Sequence, residues 1–179
     1  MTREWTFHDK RPGMKWRDYS TIGKGPWNDE PDKVQWIDEA TGLDCLIVRG
    51  PSGALCGYVG VPPTHPWHGG DYGRCTASPA CVNEWCEHTP EACLDVHGGI
   101  TFSGGCNTSD PEGICHIPEP GRPADVHWYG WDAAHASDLT FFDMGIPGMP
   151  SRGDRGTYRD IAYATAECTR LASQLAAVT

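Results

Sequence analysis

Short runs of alternating apolar and polar residues fill the middle of the chain, and a three-and-four apolar spacing takes over at its end. "VQWID" from Val34 and "LDCLIVR", separated by the turn residues "ATG", read as an antiparallel hairpin, and "ALCGYVGV" supplies the next strand. "LDVHGGITF", the short "GICHIP" and "DVHWYGWD" extend the set, with Gly, Pro, Asn and Asp between them. At the C-terminus Ile161, Ala164, Cys168, Leu171, Leu175 and Val178 form one stripe of a helix, with Thr157 and Asp160 placed as a capping box at its start. The pattern predicts an α+β fold. Its centre is a small, mainly antiparallel, loop-rich sheet of about five or six strands, with the C-terminal amphipathic helix packed on it.

Before Val34 no periodicity is present. Residues 1–25 read as a polar N-terminal arm or irregular edge, and 26–179 as a single domain. Within that domain residues 71–93 break the pattern. The run "CTASPACVNEWCEHTPEAC" sets four Cys among polar residues and Pro, an excursion that needs a cross-link to be ordered.

Composition narrows the function classes. A net charge of -10 argues against gripping nucleic acid through its phosphates, which takes a basic face. No run approaches the length of a membrane span, and the start "MTREWTFHDKRPGMKW" lacks the apolar centre of a signal peptide, so the expected setting is the cytoplasm. Nine Cys is an odd number, and in a reducing compartment so many thiols point to metal binding or buried apolar positions rather than a disulfide frame.

Three groups of residues are candidates for chemistry. Cys75, Cys81, Cys86, His88 and Cys93 carry enough thiolates and an imidazole for a structural zinc knuckle, which would give the excursion its order. Free thiols or an oxidised pair are the alternative, and Cys106, Cys115 and His116 could join a cluster. The second group is Asp95, His97, Asp132, His135 and Asp138. On a strand Asp95 and His97 face the same side, Gly98 and Gly99 permit a close approach, and Asp132 and His135 are neighbours if the segment after the last strand coils. Two imidazoles and three carboxylates suit a divalent metal with an open position for an activated water. Between Arg74 and Arg152 eleven Asp and Glu face a single Arg, Arg122, so a pocket there is anionic and lacks a local guanidinium for phosphate. Structural or turn-capping roles are the bland reading of the same residues. A metal-free version, with an Asp-oriented imidazole as general base and Ser103, Ser137 or Thr101 as nucleophile, lacks any nucleophile-elbow sequence. The third group is aromatic: Trp128, Tyr129 and Trp131 as ligand-binding walls, with His65, Trp67, His68 and Tyr72 as a stacking set, against plain core packing.

The runs "EPDKVQWIDEATGLDCLIVRG", "LCGYVGVPPTHPWHG", "DVHGGITFSG", "ICHIPEPG" and "WYGWDAAHASDL", closing with "TYRDIAYATAEC", resemble a family of small bacteriophage and prophage proteins over about residues 26–175. The resemblance implies a source and an intracellular setting, and no mechanism. Accessory genes of this kind suggest a role in countering host defence, by destroying or sequestering a nucleotide signal.

The expected function is therefore a metal-dependent hydrolase built on the Asp/His cluster, acting on a phosphate ester or nucleotide-like substrate. The alternative is a sequestering module with a structural zinc site, which captures a small molecule or a host protein. An acidic surface acting on a basic partner is the third reading. Neither nucleic acid nor membrane is an expected partner.

Overall fold

The computed structural model describes residues 1–10, 25–76, 87–108, 110–117, 125–140 and 156–178. Strands β1 (Arg3–Trp5), β2 (Lys33–Ile37), β3 (Asp44–Arg49), β4 (Leu55–Val61), β5 (Phe102–Gly105) and β6 (His127–Asp132) form one antiparallel sheet in the order β1-β2-β3-β4-β6-β5. Helix α1 (Pro90–Cys93) is a single turn, and α2 (Ile161–Ala176) packs across β3 and β4. The molecule is thus the small α+β fold that the alternation and the C-terminal stripe predict.

The hairpin forms where its turn residues dictate. Asp38 accepts hydrogen bonds from both the backbone N–H and the hydroxyl of Thr41, closing the turn between β2 and β3. The resulting register pairs Val34 with Ile47 and Trp36 with Cys45 on one face, and Lys33 with Val48 and Gln35 with Leu46 on the other. Nearly every residue of β3 and β4 is buried, so both faces of the sheet are covered.

On the first face α2 buries Ala164, Cys168, Leu171 and Leu175 against Ile47, Val59, Tyr129 and Trp131. The helix comes in close because β4 carries glycine beneath it: a Cβ on Gly57 would lie 2.6 Å from Trp131 Nε1 and 2.7 Å from Cys168 Sγ. The N-cap of α2 is Asp160, whose carboxylate accepts from Tyr163 N at 2.8 Å; Thr157 lies outside the helix and bridges to Asp138.

Segment 106–117 closes the second face over Leu46, Tyr58 and Trp128, with Cys106 and Ile114 packed on them. Residues 113–117 of "GICHIP" are not a strand. The Cys106–Cys115 disulfide folds the segment back on itself, and side chains of β2 satisfy its backbone. Lys33 Nζ donates to the carbonyls of Pro111 and Gly113 at 2.8 and 2.9 Å, and Ile117 N donates to Gln35 Oε1 at 2.7 Å. Burial pulls the Lys33 ammonium down to about 8, although Asp110 and Glu112 oppose the shift.

Residues 3–5, read from the sequence as part of an arm, form the edge strand β1, and Lys10 is buried. Asp32 explains how this stretch is held. Its Oδ2 accepts from Phe7 N and His8 N, and its Oδ1 from Lys10 Nζ at 2.7 Å and Arg49 Nε at 3.0 Å. Arg49 in turn donates to Glu30, Tyr158 and the carbonyl of Gly53, and Glu30 accepts from Ile161 N at the start of α2. Residues 11–24 lie outside the described residues. No helix among the described residues is long and apolar enough to cross a membrane.

Candidate functional site

The stretch "LDVHGGITF" is a strand only from Phe102. Gly98 and Gly99 take φ values of 67° and 85°, which interrupt an extended run. Upstream of them, side chains of α2 replace a strand partner. Asp95 N donates to Gln174 Oε1 at 2.7 Å, His97 N donates to Glu167 Oε2 at 2.8 Å, and Gln174 Nε2 returns a bond to the Asp95 carbonyl. Leu94 and Val96 point the other way, into the core. Segment 94–97 is thereby fastened along α2 by Tyr163, Glu167, Arg170 and Gln174, a polar stripe spaced four, three and four residues apart.

A second segment approaches from the end of β6. Leu139 N donates to the Thr157 carbonyl and Thr157 N to that of Ser137, which pins Asp138 beside the start of α2. Asp138 is 1% exposed. Its Oδ2 accepts from His135 N at 3.1 Å and pairs with His97 Nε2 at 2.7 Å, and its Oδ1 accepts from Arg159 Nε at 2.9 Å. Burial alone would raise this carboxyl. The bonds from His97, Arg159 and His135 N outweigh burial and hold it below the ordinary carboxylate range.

His97 lies between this carboxylate and Tyr163, whose hydroxyl is 2.9 Å from Nδ1. With Asp138 ionised, a neutral imidazole keeps its proton on Nε2, so Nδ1 accepts from the phenol. Arg159 stacks its guanidinium 4.7 Å over the Tyr163 ring. The His135 ring stands 5.4 Å from that of His97, and its Nε2, 3.9 Å from Asp132 Oδ1, has no hydrogen-bond partner among the described residues. The ring occupies the space that a side chain at residue 98 would need, since a Cβ on Gly98 would fall 1.7 Å from that nitrogen.

The five Asp and His residues read as a metal site therefore converge only in part. His97, His135 and Asp138 meet, with Asp132 at the margin, where its Oδ2 accepts from Thr101 and its Oδ1 from Ala134 N. Asp95 is turned away: its exposed carboxylate pairs with Arg170 at 2.8 Å. Both nitrogens of His97 and both oxygens of Asp138 have protein partners, and these five residues are not among the described donors that gather within 4.8 Å of one another. Two cations that the local sequence did not show, Arg159 and Arg170, are brought in from the C-terminal segment.

The aromatic set does not form one wall. Alternation sends Trp128 to the face under segment 106–117, and Tyr129 and Trp131 to the face under α2. All three are at most 1% exposed and serve as core. Trp131 still borders the site, its ring centroid 5.6 Å from that of His97.

Of the residues read as a zinc knuckle, Cys81 and Cys86 lie outside the described residues. Cys75, His88 and Cys93 do not gather into a ligand set; Cys93 Sγ donates to the Glu87 carbonyl, and the His88 carbonyl accepts from Thr76. Among the described residues the donors that do gather are Cys106, Cys115 and His116, whose ligand atoms all lie within 4.8 Å of one another. The Cys106–Cys115 pair is disulfide-bonded. Cys45 and Cys168 are buried apolar positions, the other role expected for the thiols.

Tyr163 was not among the residues singled out from the sequence. Its signal is the polar stripe that runs beside the apolar stripe of the same helix.

Acid should reveal the charge on Asp138. A carboxyl held below its unfolded value stabilises the fold above that value, and the contribution disappears as pH falls through the native one. The stability gap between wild type and Asp138→Asn is expected to be constant above about pH 5 and to narrow below about pH 4. Urea unfolding at a series of pH values measures it; a gap unchanged down to about pH 2 would show Asp138 to be an ordinary carboxyl.

No family model, no curated protein and no solved structure matches this chain.

Proposed function

We propose that the chain is a metal-independent hydrolase of anionic esters, of the phosphate-ester or nucleotide-like class. The reading rests on one observation, the hydrogen-bonded series Asp138–His97–Tyr163 with distances of 2.7 and 2.9 Å. Its logic is that of an oriented nucleophile. His97 Nδ1 takes the phenolic proton as Tyr163 Oη attacks, and Asp138 fixes the imidazole tautomer and balances the imidazolium that forms. The imidazolium then returns its proton to the leaving oxygen, and water releases the tyrosyl ester. Arg159, stacked over the attacking ring, offers positive charge to the anionic group of the substrate. A setting among phage-type accessory proteins, acting on a host nucleotide signal, fits this substrate class and rests on the segment resemblance alone.

The test is a panel of chromogenic phosphate mono- and diesters with wild type, Tyr163→Phe and His97→Gln. Tyr163→Phe keeps the ring and removes only the hydroxyl. Each variant is expected to lose turnover by at least about 100-fold, with Tyr163 carrying the ester in wild type trapped by acid quench. Hydrolysis that persists in both folded variants, or an ester trapped on a different residue, would exclude this assignment.

A further inference from the structure

Cys106, Cys115 and His116 lie on the opposite face of the sheet from Tyr163 and take no part in the chemistry proposed above. Cys106 and Cys115 are nine positions apart and His116 follows directly, so one short loop supplies all three donors. Cys115 and His116 are 3% and 2% exposed, and Cys106 is half-buried. The Trp128 indole N–H points at Cys106 Sγ from 3.4 Å, and the His116 ring packs 6.1 Å from the Trp128 ring, so the core strand β6 supports two of the donors.

We propose that these three residues form a thiol-gated site for zinc or a cation of similar softness, closed when the disulfide is made and opened by reduction. Tetrahedral zinc spaces sulfur and nitrogen ligands by about 3.5–3.8 Å. The 4.8 Å spread of these donor atoms brackets that spacing, so modest adjustment suffices. Charge also suits a buried site. Two thiolates neutralise the dication, and a neutral imidazole adds a lone pair without adding charge.

The redox step balances with a small dithiol as reductant. The Cys106–Cys115 bond breaks as the dithiol closes its own S–S bond, and two electrons and two protons pass to the protein sulfurs. Binding the dication then releases both thiol protons to solvent. The metal takes over the cross-link that the disulfide provides, so segment 106–117 remains closed over Leu46, Tyr58 and Trp128 in either state.

Cobalt(II) is the probe, because thiolate coordination gives it a charge-transfer absorption. The full chain is titrated oxidised and after treatment with a non-chelating phosphine reductant, alongside Cys115→Ser, His116→Ala and the Cys86→Ser/His88→Ala variant. The expected result is one thiolate-bound cobalt that appears only on reduction of wild type, is displaced by zinc, and disappears in Cys115→Ser. It is retained in Cys86→Ser/His88→Ala. His116→Ala is expected to weaken binding at least tenfold. Oxidised and reduced wild type form a comparison that needs no substitution, so the test survives a variant that fails to fold. Absence of the band in reduced wild type overturns the site, as does a band that Cys115→Ser leaves intact.

Discussion

Arg49→Met is expected to lower the unfolding free energy by about 3–5 kcal/mol. The guanidinium sits at the end of β3 with Asp32 on one side and Glu30 on the other, at 3.0 and 3.1 Å, and its side chain is fully buried. Burial works against the charge, yet Tyr158 and Glu30 more than offset it and the guanidinium is held above its ordinary value. Removing the cation leaves the buried Asp32 carboxylate, the half-buried Glu30 carboxylate and the Gly53 carbonyl each one donor short. Because Glu30 also accepts from Ile161 N, the loss should loosen the first turn of α2, which carries Tyr163. Urea unfolding of the Arg49→Met and Asp32→Asn single variants and of the Arg49→Met/Asp32→Asn double variant measures the coupling. A loss below about 1 kcal/mol in the single variant would mean that the network is solvated and contributes as an exposed pair does.

Gly98→Ala is the second large effect, expected at about 2–5 kcal/mol. The positive φ of residue 98 costs an L side chain about 1–2 kcal/mol, and its Cβ would overlap the His135 ring, which adds an overpacking cost of about 1–3 kcal/mol. Gly99→Ala is the informative comparison. It carries the same backbone penalty at φ 85° and meets nothing within 4 Å, so it should cost only the smaller, conformational part. Equal losses in the two variants would show that contact with His135 has no energetic weight.

Much of the sheet was legible because short apolar runs rich in Val and Ile, bounded by turn residues, mark strands even where both faces are buried. Val34 to Arg49 and Leu55 to Val61 were readable as strands, and the stripe from Ala164 to Leu175 as a helix lying on them. Legibility failed where a distant side chain does the work of a strand partner. Asp95 and His97 look like strand residues, yet their amides are satisfied by Gln174 and Glu167 some seventy to eighty positions away, as the separations of 79 and 70 show. "GICHIP" failed for a related reason: Lys33 and Gln35 on β2 bond to Gly113 and Ile117 within it. Trp128, Tyr129 and Trp131 resemble a ligand platform when only one face of β6 is assumed to be covered, and become core once segment 106–117 covers the other. The pairing of His97 with Asp138 was within reach, since both were singled out; that Asp138 is its orienter and Tyr163 its other partner depends on where the C-terminal segment returns.

The sheet ends in β1, three residues long, and β5, four residues long and closing on Gly104 and Gly105. An extended segment from another molecule would find too few consecutive amides and carbonyls on either edge to nucleate pairing. Growth by strand addition, the usual route from a hydrophobic sheet to fibrils, is thus blocked at both described ends, although the strands between them are rich in Val, Ile and Leu.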